Sequence, residues 1–122
     1  EEAARRTLSY MDGVAFARRG VAVARQGVGE HATAIELCEQ ALATYRTVRG
    51  TQRYQAEAWK TMTISLCELG DDAGAVRCLT EAVSLLDSLH DPEADVLRAR
   101  LNRMRGNRAG VRRGHVRRCA GP

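Results

Sequence analysis

The sequence predicts an all-α protein, a short solenoid of about five helices folded as antiparallel hairpins. Three observations carry that reading. The first is an internal echo: Gly29 to Leu42 (GEHATAIELCEQAL) returns 41 residues later as Gly70 to Val83 (GDDAGAVRCLTEAV). Self-similarity at a fixed period of 20–50 residues marks a repeat architecture. The second is composition. The 122 residues are 44% hydrophobic but only 4% aromatic, with alanine throughout, which suits helices packed closely side by side. The third is punctuation. Pro92 and Pro122 are the two prolines, so long helices run uninterrupted between glycine stops.

The first helix is expected from Ala3 to Gln26, with Leu8, Met11, Ala15, Val21 and Ala24 among its apolar positions. Gly13 and Gly20 lie seven apart within it; each costs roughly 1 kcal/mol against alanine, so either a neighbouring helix approaches along that stripe or the helix kinks there. Gly29 stops it. A second helix is expected from His31 to Val48, where Ile35, Cys38, Ala41, Leu42, Tyr45 and Val48 hold helical spacing. Arg46 and Arg49 then fall in its last turn, where cations complement the dipole. Gly50 ends it, and Thr51 caps the third helix, Gln52 to Leu69. Gly70 stops that helix. Asp71 and Asp72 cap a fourth, which reaches about Leu89. Asp91-Pro92-Glu93 is the sharpest boundary: an N-cap, a proline at the first helical position and an acid at the positive end. A fifth helix follows through Val96, Leu97, Leu101 and Met104. Beyond Gly106 the apolar pattern dissolves, and that segment is expected to be disordered when alone.

Charge divides the chain. From Arg98 onward there are nine arginines and no acid, whereas the residues before it hold ten Lys or Arg against all 15 Asp or Glu, a net of −5. A mildly acidic body thus leads into an arginine-rich end, and the chain is divided into a helical domain of residues 1–105, net −1, and a basic tail of residues 106–122. No run of 18 apolar residues exists to span a membrane, and no signal peptide is visible. The chain starts at Glu1 and reads as a piece of a longer protein or a processed form. Cys38, Cys67, Cys78 and Cys119 form no CxxC and have no histidine at ligand spacing. They read as buried reduced thiols of a cytoplasmic protein, with a metal site or a disulfide as alternatives. No cofactor is implied. There is no phosphate loop and no nucleophile elbow; Asp87 with His90, and Glu36 with Glu39, read as structural or solvated pairs, so no catalytic residue is assigned.

Paired helices of this length fit tetratricopeptide, HEAT or armadillo units, and a period of 41 alone favours HEAT. The residues decide otherwise. From Trp59 the chain reads Trp59-x₂-Met62-Thr63-x₂-Leu66, then Leu69-Gly70, then Ala75-x₃-Leu79-x₂-Ala82. This resembles the tetratricopeptide signature of W-x₂-L-G-x₂-Y followed by A-x₃-F and a small residue. The chain looks most like the longer variety, roughly 40–42 residues per unit, of kinesin light chains and actinobacterial regulators. The units are placed at about residues 15–50 and 55–91, with a capping helix at 92–105. The first matches less well, since Arg18 stands in the tryptophan place and Arg25 in the tyrosine place; in the second, Thr63 replaces the usual glycine.

The resemblance implies a right-handed solenoid whose first helices line a concave groove that binds a peptide or helix of a partner. It places Arg19, Val23 and Gln26 of the first unit in that groove, with Glu57, Lys60, Ile64, Cys67 and Glu68 of the second. Val23 and Ile64 occupy places where carboxylate-binding members of the family need asparagines, so a mixed apolar and charged groove is expected instead. The function expected is a protein-interaction module of a bacterial regulatory or scaffolding protein. The alternative is nucleic-acid or polyanion binding through Arg105, Arg108, Arg112, Arg113, Arg117 and Arg118, where each neutralised phosphate releases counterion. The tail has no interleaved aromatic for base stacking, which argues against sequence-specific recognition. A connector, an electrostatic docking arm and a solvated tail are its other readings. Solenoids usually need three repeats for stability. With two here, Leu97, Leu101 and Met104 are expected to cap the open end, or two chains to pair.

Overall fold

Five helices make up the regular structure of the computed structural model, which describes residues 2–112: α1 (Glu2–Gly27), α2 (His31–Tyr45), α3 (Gln52–Glu68), α4 (Asp72–Ser88) and α5 (Glu93–Arg112). Each packs antiparallel on the next, and α1 also touches α3. The result is a row of helical hairpins, as the repeat predicts.

The helix stops are chemical. After α1, the Glu30 N–H donates to the Arg25 carbonyl and the Gly29 N–H to that of Gln26. After α3, Asp71 and Gly70 repeat those bonds to Leu66 and Cys67; after α4, Asp91 and His90 repeat them to Leu86 and Asp87. This paired closure needs a left-handed residue. Gly29 and Gly70 supply it at φ +87° and +82°, and His90 does so at +54°.

The starts differ. Asp71 Oδ1 accepts the Gly74 N–H at 2.9 Å, and a Cβ on Gly74 would lie 2.5 Å from that carboxylate. Asp91 Oδ1 likewise accepts the Glu93 N–H at 2.8 Å. Glu30, 41 residues before Asp71, makes no side-chain cap bond. Thr51 does not cap α3 as expected. Its hydroxyl turns back to the Tyr45 and Val48 carbonyls, at 2.6 and 2.9 Å, and closes the end of α2 instead. That turn, with Thr47 donating to the Thr44 carbonyl, is why α2 stops at Tyr45 rather than Val48.

The core is mostly alanine and leucine. Leu79, Ala82, Val83 and Leu86 of α4 pack with Ala56 of α3 and with Ala94, Leu97, Leu101 and Met104 of α5. A second cluster joins Ala22, Ala34, Cys38, Leu42, Ala58, Met62 and Cys78 across the first four helices. Trp59 and Leu66 pack against both clusters, as the signature positions should.

Four sequence expectations need correction. On α1 the buried positions are Ala15 and Ala22, with Arg19 and Gln26 half-buried, whereas Val21 and Ala24 are exposed. The true stripe is small and polar, so hydrophobicity alone misplaces it; Leu8 and Met11 lie outside the described side chains. Nothing approaches Gly13 or Gly20, and α1 runs through both as one helix. Val96 is exposed, because α5 buries only the face turned to α4. The backbone of α5 stays helical past Gly106 to Arg112, where disorder was expected. Arginine and alanine favour helix, and Arg108 and Arg112 fall where cations suit the dipole.

Candidate functional site

The helices α1, α3 and α5 form one face of the row, and side chains tie them together. Gln26 Nε2 donates to the Thr61 carbonyl at 2.7 Å and to Ser65 Oγ at 2.8 Å. His31 Nδ1 lies 3.1 Å from the same Ser65 oxygen. Gln26 therefore bolts α1 onto α3. Lys60 Nζ donates to Glu57 Oε2 at 3.0 Å and to Glu93 Oε2 at 2.6 Å, bridging α3 to α5. Burial opposes its ammonium, but the bonds to Glu93 and Glu57 outweigh that and hold the Lys60 pKa above its ordinary value. Arg53 pairs with Asp91 at the mouth of α5 and holds that carboxyl below the usual aspartate range, helped by the Glu93 N–H.

Between these ties lies apolar surface. Val23 is 44% exposed and Ile64 is 40% exposed. Phe16, at 51%, meets Tyr54, at 38%, edge to face with centroids 5.8 Å apart. Tyr54 stacks in turn on buried Tyr45 at 5.5 Å, and the Arg19 guanidinium lies 5.5 Å from the Phe16 centroid. Thus Arg19, Val23, Gln26, Glu57, Lys60 and Ile64 fall on one face. Glu68 is exposed at the end of α3. Cys67 is 3% exposed, in the core cluster of α3, α4 and α5. Phe16 and Tyr54 were missed in the sequence. Each sits one helical turn before a groove position, Arg19 and Glu57, and that i, i+3 spacing was the available signal.

The opposite face holds a cleft of about 690 Å³ between α2 and α4, which stand apart where α1 and α3 touch. Trp59, Met62 and Leu66 of α3 line it, with Glu39 and Arg46 from α2 and Arg77 and Glu81 from α4. Arg46, just past α2, places its guanidinium 5.5 Å from the Trp59 ring centroid. No local or periodic signal in the residues points to this cleft.

The thiols divide. Cys38 and Cys78 are free, and burial pushes both pKa values up to about 11, which leaves them neutral. Cys67 is disulfide-bonded, against the expectation of a reduced thiol. The Arg105 side chain is exposed. Arg108 and Arg112 lie on the α5 backbone with their side chains outside the described residues, as are Arg113, Arg117 and Arg118 altogether. No helix among the described residues is long and apolar enough to cross a membrane. Asp87, once paired in sequence with His90, binds Arg98 of α5 instead.

Comparison with family models matches residues 13–88 to the tetratricopeptide repeat, which generally mediates protein–protein interaction rather than catalysis. Comparison with curated proteins finds no match, and comparison with solved structures finds none. The matched residues cover more than half of the sequence and take in α2, α3, α4 and the latter part of α1, and the chain belongs to the tetratricopeptide repeat family.

Proposed function

We propose that the α1–α3–α5 face binds a peptide or helix of a partner protein, and that the chain serves as an interaction module of a bacterial regulatory or scaffolding protein. One observation carries the reading: Phe16, Val23, Tyr54 and Ile64 stay exposed on one face while its polar groups, Gln26 and Lys60, are satisfied within the chain. Exposed apolar side chains gathered in one patch mark interaction surfaces. Rigid interhelix ties also lower the ordering cost on binding.

The test is selection of 12-residue peptides from a random displayed library on the full chain. Recovered peptides should bind the unaltered chain and lose at least tenfold in affinity to Ile64→Asp, a change at an exposed position that leaves helicity intact. Peptides indifferent to Ile64→Asp and to Val23→Asp would exclude the face.

A second reading rests on sequence: nine arginines and no acid from Arg98 onward favour polyanion binding. Removing residues 106–122 should then abolish DNA and RNA affinity and its salt slope. An unchanged slope excludes the tail as the binding element.

A further inference from the structure

Resting on that reading of the face, we infer that its partner segment sets an acidic side chain over Arg19. The cations of this face are not equivalent. Lys60 already holds two carboxylates, Glu57 and Glu93. Arg53 is paired with Asp91, and Arg25 with Glu30. Arg19 pairs with no carboxylate among the described residues; its Nε lacks an acceptor, as does that of Arg100 on α5, but of the two it is Arg19 that lies against the exposed Phe16 ring. Its guanidinium is half-buried against the Phe16 ring, and its charge reaches the Cys38 thiol. The rest of the guanidinium is only half-buried and holds no carboxylate, so it can donate a charge-assisted bond to an arriving one.

The surroundings define the rest of the segment. Phe16 and Val23 stand one turn before and one turn after Arg19 and are exposed, so apolar partner side chains flank the acid. Toward α5, Lys60 is already held by Glu57 and Glu93, so that ammonium offers an incoming acid less than Arg19 does.

The same 12-residue displayed library, selected on the full chain, tests this. Recovered binders should be enriched in Asp or Glu. A synthetic copy of the best binder with that acid changed to its amide should bind about tenfold more weakly, the loss of one charge-assisted bond. Against Arg19→Gln, acid and amide copies should bind alike. Binders that are lost to Ile64→Asp but show no acid enrichment and no amide penalty overturn the inference and leave the face reading standing. Absence of any binder sensitive to Ile64→Asp overturns both. The amide comparison needs only the unaltered protein, so it decides the matter even if Arg19→Gln fails to fold.

Discussion

The two hairpins share a period and a helix stop, but they are not built to the same strength. In the second, Asp71 caps α4, Leu79 fills the interior and Trp59 reaches both core clusters. In the first, the matching places hold Glu30 without a cap bond, Cys38, and exposed Arg18. What the first hairpin lacks in core it takes from its neighbour, through Gln26 on Thr61 and Ser65. A repeat that leans on the next one for stability is the expected behaviour of a solenoid, where interface terms add to those of each unit. The difference teaches that α1 packs chiefly on α2 and is tied to α3 through Gln26, and that the recognition face lies where α1 and α3 meet.

The sharpest way to break the comparison is in the core. Leu79→Ala should cost about 2–5 kcal/mol, whereas Cys38→Ala, at the equivalent place of the first hairpin, should cost about 1 kcal/mol. Equal losses in denaturant unfolding would mean that the hairpins are alike. Next comes the bolt between them. Gln26→Ala should cost about 1–2 kcal/mol by removing the two hydrogen bonds between α1 and α3, with hydrogen exchange accelerating in α1 more than in α4. Uniform exchange would show that α1 does not depend on it. Smaller still is the cap: Asp71→Ala should cost about 1 kcal/mol and Glu30→Ala almost nothing.

The smallest effect concerns pH. Asp91 has a folded pKa lowered by Arg53, so its contribution is full above the unfolded value of about 3.9 and fades as pH falls through the lower folded value. Both partners meet solvent, so the effect is modest and salt weakens it further. The advantage in Tm of the unaltered chain over Asp91→Asn should shrink on acidification below pH 4. A constant difference would contradict the pairing.

Much of this was legible in the sequence, and for physical reasons. Gly29 and Gly70 mark left-handed stops, Asp71 and Asp91 mark starts, and Ala75, Leu79 and Ala82 mark a tightly packed second helix. All of these are local or periodic signals. What escaped depends on three-dimensional contact. The stripe of Ala15, Arg19, Ala22 and Gln26 is invisible to hydrophobicity, because two of its members are buried by hydrogen bonding and stacking rather than by apolar character. The Thr51 hydroxyl had two sets of partners within reach, and only the turn geometry selects the backward one. The Phe16–Tyr54 pair joins residues 38 apart, outside the 41-residue register. The cleft over Trp59 exists because α2 and α4 diverge, an angle that no single helix encodes.

Recognition turns on which face of the hairpins meets a partner. An amide and methyl NMR titration of the isotopically labelled full chain with the best selected peptide answers that directly. Shifts should cluster at Phe16, Val23, Tyr54 and Ile64, with the Trp59 indole, Ile35 and Val76 unmoved. Shifts confined to Ile35, Trp59 and Val76 would place the partner in the opposite cleft and contradict the account.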